Sequence, residues 1–453
     1  MTYMRWDTSI YQYIGWQMWE GQFPYRDIFD HKGPIIYLWN MLGYGLHPVI
    51  GQWFLEFIAL FASALLAFKT GIRFISPALC VLVIGIIFFN TPPDDTIGNV
   101  ESLAVLLSYV CLNIFMDYII NRKISPYSTV IMGIICTLLL FLKPTYLATP
   151  AIILLYITVT MLHQKKYTAF LSFALYFSCA LLSITALICG WLFYHNALHD
   201  FWLCYVEFNL EYTRYWQNAN SHQIIHKALF ENFFFKSTIL LTLYLILTHK
   251  LYPATERKLI LPLSGAVLLN TIAIILPNNL FSHYIYILYP LTFLLLVIAL
   301  TPWQKKQITC IGLSAFFILS GLNCAFNITK PISDKNARVA AALIDTLLEK
   351  DETFQTLGWD MARLHLLSKH ASSTPYVMTG VYDRIYQRYL YTFLKNTRPP
   401  LVAIVTYPES PFYHKLIKAY WKNFDSDYVL YASRFGYEIY ILRERLPNTP
   451  EKL

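Results

Sequence analysis

The stretch FPYRDIFDHKGPIIYLWN, residues 23–40, packs Arg26, Asp27, Asp30, His31 and Lys32 together and then turns apolar. A lysine followed by Gly-Pro at the start of an apolar run suits a phosphate carried by a lipid. The ammonium meets the phosphate as a point charge, assisted by His31, while Asp27 and Asp30 share the turn. The rival role for Lys32 is snorkelling to lipid headgroups. Upstream, Asp7 fits a general base taking a proton from an acceptor, and equally an N-cap for a helix starting at Thr8-Ser9.

Further candidates lie downstream. In TPPDDTIGNVES, Asp94, Asp95 and Glu101 surround a Pro-Pro pair and a glycine. Such oxygens can bind a divalent cation, orient an acceptor, or simply form a solvated loop leading into a helix. Lys143 beside a proline, Arg214 in a long loop and His283 with Tyr284 offer more phosphate or sugar contacts. Each also suits a headgroup anchor or an aromatic belt.

The elements that must position these groups read as membrane helices. Of 453 residues 56% are hydrophobic, 17% aromatic and only 14% charged, far from the average globular domain. Apolar segments at 51–69, 77–90, 99–120, 128–142, 145–162, 168–193, 236–249, 259–277, 284–301 and 308–327 give about ten spans. The interruption LLLFLKPTYLATP leaves 128–162 as either two short spans or one long helix. With two, Lys69, Arg73, Arg122, Lys123, Lys165, Lys166, Lys250, Arg257, Lys258, Lys305 and Lys306 share one side, and most acidic residues before position 328 share the other. The basic side is then cytoplasmic and the acidic chemistry faces outward. No span carries a charge at its middle, which weakens a transporter reading.

The segment 33–47 reads as an interfacial helix, and the aromatic loop 194–235 is long enough to suggest a role. From 328 onward charge density rises, and an amphipathic helix (ARVAAALIDTLLEK) is followed by short apolar runs (FQTLGW, PYVMTG, LVAIVTY) and a helical stretch (SPFYHKLIKAYWKNF). The expected architecture is therefore an α-helical polytopic membrane protein in three parts: an outer loop over 1–50, a transmembrane domain over 51–327, and a small outer α/β domain over 328–453. The net charge of +8 without a basic, aromatic-interleaved stripe argues against nucleic acid. Eight cysteines, seven of them inside apolar runs, show neither disulfide nor zinc spacing.

RWDTSIYQYIGWQMWEGQFPYRDIFDHKGP resembles the first outer loop of the GT-C superfamily of polyprenyl-phosphate-dependent membrane glycosyltransferases, which includes protein mannosyltransferases and the lipid A aminoarabinose transferase. The matching positions are Asp7, the segment 10–20, Pro24 to Asp30, and Lys32-Gly33-Pro34. The order of spans, the acidic patch at 94–101, Lys143-Pro144, FSHYIYILYP and an outer C-terminal domain are similar too. The resemblance covers residues 5–327 in pattern, and the first loop is its most specific part.

It implies a sugar donor on polyprenyl phosphate, an acceptor that is a glycolipid, glycan or protein, and a site on the outer face of the bacterial inner membrane. Asp7 would be catalytic; Lys32, His31 and Lys143 would bind the donor phosphate; Asp27, Asp30, Asp94, Asp95, Glu101, His283, Tyr284 and Arg214 would support the site or hold the acceptor. Family members differ in metal need, so a divalent cation is an open expectation. The family carries a transmembrane helix before its catalytic acid, whereas six residues precede Asp7 here. Either that helix lies upstream of this start or the first 50 residues cross without one, and moving a polar segment unaided is the harder course. The alternatives from other classes are a flippase for lipid-linked saccharide and an inactive partner subunit.

Overall fold

The computed structural model describes residues 7–90, 98–217, 233–276, 282–328, 335–358, 362–377, 392, 394–405, 421–422, 424, 426–434 and 436–445. Two short helices come first. α1 (Asp7–Trp19) ends at a turn in which Gly21 takes φ 89°, and α2 (Pro34–Leu46) begins with proline at its first turn, where the missing N–H costs nothing. α2 stops at His47, whose Nδ1 accepts from the amides of Val49 and Ile50 and so caps the next helix.

Further helices follow, all apolar but α9: α3 (Ile50–Gly71), α4 (Pro77–Phe89), α5 (Val100–Asn121), α6 (Pro126–Leu140), α7 (Ala148–His163), α8 (Tyr167–Tyr194), α9 (Phe208–Gln217), α10 (Phe233–Thr248), α11 (Ala254–Ile275), α12 (Tyr289–Leu300) and α13 (Gln307–Ile328). Their starts carry legible caps, with Ser76, Asn99 and Ser125 accepting amide hydrogen bonds from Leu79, Val100 and Ser128. Among the described residues eight helical segments are long and apolar enough to cross a membrane, so the chain is a multi-pass helical membrane protein. The other two expected spans, 77–90 and 128–142, form helices of only 13 and 15 residues. At 1.5 Å per residue these reach about 20 Å, short of a hydrocarbon core of about 30 Å.

The break inside 128–162 takes the two-helix form. α6 ends at Leu140, Lys143 is extended, and a 3₁₀ turn (Pro144–Leu147) leads into α7. The turn 141–143 is tied to the start of α2, where the amides of Gly33 and Ile35 donate to Leu142 and Phe141 carbonyls at 3.3 and 3.4 Å. At the opposite helix ends Arg73 pairs with Asp117 at 2.7 Å, and Gln304 reaches the Phe74 carbonyl.

The C-terminal unit has α14 (Lys335–Leu347), α15 (Ala362–Ser368) and four strands: β1 (Gln355–Leu357), β2 (Leu401–Val405), β3 (Tyr428–Arg434) and β4 (Tyr437–Leu442). The sheet order is β1-β2-β4-β3, with β1 parallel to β2 and the other pairs antiparallel. One face buries Ala340, Ala341 and Ile344 of α14 against Leu401 and Ala403; the other packs Val402 and Ile404 on Trp421 and Phe424. The expected α/β unit is present. The described part of PYVMTG, residues 375–377, is not a strand, and 410–424 lies mostly outside the described residues. The hairpin β3–β4, whose apolar alternation was readable, went unassigned in the sequence. The unit docks on the first loop, for the Ser372 amide donates to the Tyr13 hydroxyl at 2.9 Å and the Phe29 amide to the Pro375 carbonyl at 2.9 Å.

Candidate functional site

Asp30 anchors the turn before α2. Its carboxylate accepts from the Tyr37 hydroxyl and the His31 amide, both at 2.8 Å. Burial pushes this carboxyl above its usual range, against nearby Lys32 and those two hydrogen bonds. With Asp30 holding the backbone, His31 and Lys32 project away from it. The His31 ring lies against Phe208 and Tyr212, and the Asn209 amide holds its carbonyl at 2.8 Å. Burial, reinforced by Lys32 and Lys143, pushes His31 well below its ordinary value, so the imidazole is neutral. Its Nε2 lies 2.5 Å from the Lys32 ammonium, which can only donate, so the ring proton sits on Nδ1.

Lys143 is the second cation. Its ammonium stands 3.5 Å from the Tyr284 ring centroid and 3.7 Å from a Glu101 carboxylate oxygen. Tyr146, three residues on, donates its hydroxyl to the same carboxylate. Glu101 is fully buried at the first turn of α5, and among the described residues its other oxygen has no hydrogen-bond partner. Burial, with the like charge of Lys32, brings Lys143 down to about 8 against the opposing pull of Glu101 and Asp7. A lysine so placed changes charge near physiological pH.

A cavity of about 650 Å³ opens beside these groups. His31, Lys32, Lys143, Arg214 and Tyr284 all line it, although they come from four separate parts of the chain. Much of the remaining wall is apolar, from Leu140, Leu142, Val206, Leu210, Ile274 and Ile287. Three basic side chains on a largely apolar hollow at one end of the helices fit an amphiphile with an anionic head.

The other expected residues fall in distinct places. Asp7 lies in the first turn of α1, and its charge acts on both Lys143 and Asp30. Asp27 is turned elsewhere: it accepts from the Phe23 amide at 2.7 Å and pairs with Arg26 at 2.6 Å, while Arg26 also bonds the His195 carbonyl. This pairing holds the Asp27 carboxyl below its usual range and closes the 23–27 turn instead of lining the cavity. His283 stands edge-on to Tyr284 at 4.8 Å, outside the lining. Asp94 and Asp95 lie outside the described residues, and among the described residues no group of three His, Cys, Asp or Glu side chains could hold a metal ion.

Sequence reasoning missed Tyr146, Tyr205, Asn209 and Tyr212. The last three stand at i, i+4 and i+7, one helical face inside the loop already marked as aromatic, so the signal was present. A π-helical turn (Trp202–Glu207) leads into α9 and carries Tyr205, whose hydroxyl donates to the Leu140 carbonyl and ties this face to the end of α6.

No protein-family model and no curated protein matches the chain. Fold and site together define a multi-pass helical membrane protein with a basic, apolar-walled cavity beside a small α/β domain.

Proposed function

We propose that this chain is a GT-C-like glycosyltransferase that moves a sugar from a polyprenyl-phosphate donor to an acceptor at the outer face of the bacterial cytoplasmic membrane. The observation that carries this reading is the single cavity shared by Lys32, Lys143 and Arg214 with apolar walls, which suits a phosphate on a prenyl chain. The acceptor oxygen attacks the anomeric carbon and its proton passes to Asp7. The bond from that carbon to the phosphate oxygen breaks, and the electron pair leaves with the polyprenyl phosphate. Charge growing on the leaving phosphate is met by Lys32, Arg214 and Lys143, which line the same cavity. Displacement in one step inverts the anomeric carbon. The clustering of Lys69, Arg73, Arg122 and the other basic residues at the helix ends away from the cavity supports an outward-facing site.

The test is release of polyprenyl phosphate from a panel of radiolabelled polyprenyl-phosphate sugars by the purified protein in lipid. Release from one donor with a new glycosidic bond is expected. No release from any donor, or redistribution of donor between leaflets with no new bond, overturns the reading in favour of a scaffold or a flippase.

Lys143 adds a pH dependence. An anionic phosphate prefers the protonated amine, so donor affinity should stay level below about 8 and fall above it, by at most about tenfold per pH unit for one group. Lys143→Arg should flatten the profile, because a guanidinium stays charged. Affinity that rises with pH across this window would count against Lys143 meeting the phosphate.

A further inference from the structure

A second basic hollow lies at the other ends of the same helices. α5 closes at Arg122, which takes the left-handed conformation at φ 53°, and α7 ends at His163 before the reversal through Lys165 and Lys166 into α8. Between them is a cavity of about 360 Å³ whose lining includes Arg122, Lys123 and Lys166. Its floor is apolar and aromatic, with Tyr118, Met161 and Phe173. Among the described residues no carboxylate lines it; Asp117, on the helix that ends at Arg122, is engaged by Arg73 at 2.7 Å. The first turns of α6 and α8 flank the hollow, adding the positive ends of two helices. Lys143 and the cavity already described lie across the length of α6, about 22 Å away at 1.5 Å per residue.

We propose that this hollow binds the phosphate of an anionic membrane phospholipid, with Arg122, Lys123 and Lys166 around the headgroup and the first part of an acyl chain on Tyr118, Met161 and Phe173. The lipid source follows from the floor: a free phosphate has no use for an apolar wedge between two membrane helices, whereas a phospholipid supplies both halves. The inference does not depend on glycosyl transfer.

Native mass spectrometry of the full chain, released from detergent with equal phosphatidylglycerol and phosphatidylcholine, tests it. The expected result is preferential retention of phosphatidylglycerol, weakened roughly fivefold for each cation removed in Arg122→Ala and Lys166→Ala. Lys305→Ala with Lys306→Ala, at the same ends of the helices but outside the hollow, should leave retention unchanged. Equal retention in the hollow variants overturns the proposal. So does glycerol phosphate, with no acyl chains, displacing the lipid at equal concentration, which would make the ligand a soluble phosphate. The wild-type chain gives a check free of any folding defect: absence of a phosphatidylglycerol preference, or a preference insensitive to salt, also sinks it.

Discussion

Alanine at Gly33 is expected to destabilise the protein by about 3 kcal/mol and to weaken donor binding at Lys32 and Lys143 together. A Cβ built at this position would stand 1.7 Å from the Phe141 carbonyl oxygen and 2.3 Å from its carbon. The backbone there is ordinary, φ −71° and ψ 158°, so the cost is one of space alone. Relief requires the 141–143 turn to back away from α2, breaking the amide bonds of Gly33 and Ile35. Overpacking costs about 1–3 kcal/mol and each lost hydrogen bond about 1. Lys32 precedes Gly33, and Lys143 sits on the turn it touches, so the same movement separates the two cations. Gly21→Ala is the contrast: its φ of 89° carries backbone strain, but nothing lies within 4 Å. Thermal unfolding in detergent and polyprenyl-phosphate binding read both effects. A Gly33→Ala protein that melts and binds like wild type would show that the loop and turn are not in contact.

That contact illustrates what the sequence could and could not announce. Apolar runs and Ser-Pro or Asn caps are local, so helix existence and most boundaries were legible, including the Lys143-Pro144 break. Length sets two of the expected spans apart, because hydropathy alone does not say that these helices have only 13 and 15 residues. The cavity is a matter of distance in space: Lys32, Lys143 and Arg214 lie far apart in the chain, and only tertiary pairing makes them neighbours. Asp27 was misplaced for a related reason. Next to an arginine, and four residues after an amide that needs an acceptor, its carboxylate is satisfied locally at Phe23 and Arg26, which the count of charges in the segment conceals. Tyr146 and Asn209 carried no charge to draw attention, yet one fixes Glu101 and the other fixes the His31 backbone.

The C-terminal unit enters the site through α1. Tyr13 receives the Ser372 amide and faces the His365 ring at 5.4 Å, so the C-terminal unit holds α1, the helix that carries Asp7 in its first turn. His365 is fully buried between Thr356 and the His370 carbonyl, and burial pushes it down to about 3, so it stays neutral and contributes packing rather than charge. The base of the proposed reaction thus stands on a helix packed against a buried support, a condition for close positioning.

Asp7→Asn and Lys32→Ala should separate turnover from donor binding. Asn keeps the shape of Asp7 but cannot take a proton, so release of polyprenyl phosphate should fall about 10²- to 10⁴-fold, the usual worth of a positioned base. Donor binding should stay near wild type. Lys32→Ala should instead weaken donor binding roughly tenfold or more, as expected for one charge-assisted hydrogen bond to phosphate. The folded state tolerates the first change well, because an acid in the first turn of a helix contributes only about 0.3–1 kcal/mol through the helix dipole. A second readout follows from the same charge. Asp7 helps to hold Lys143 up at about 8, so in Asp7→Asn the break in donor affinity should move to lower pH, and in Asp27→Asn, whose carboxylate is engaged by Arg26, it should stay in place. If Asp7→Asn releases product at the wild-type rate, Asp7 is a helix-end charge. The base must then be sought elsewhere: Asp30 is engaged by Tyr37 and the His31 amide, whereas Glu101 keeps one oxygen without a hydrogen-bond partner among the described residues.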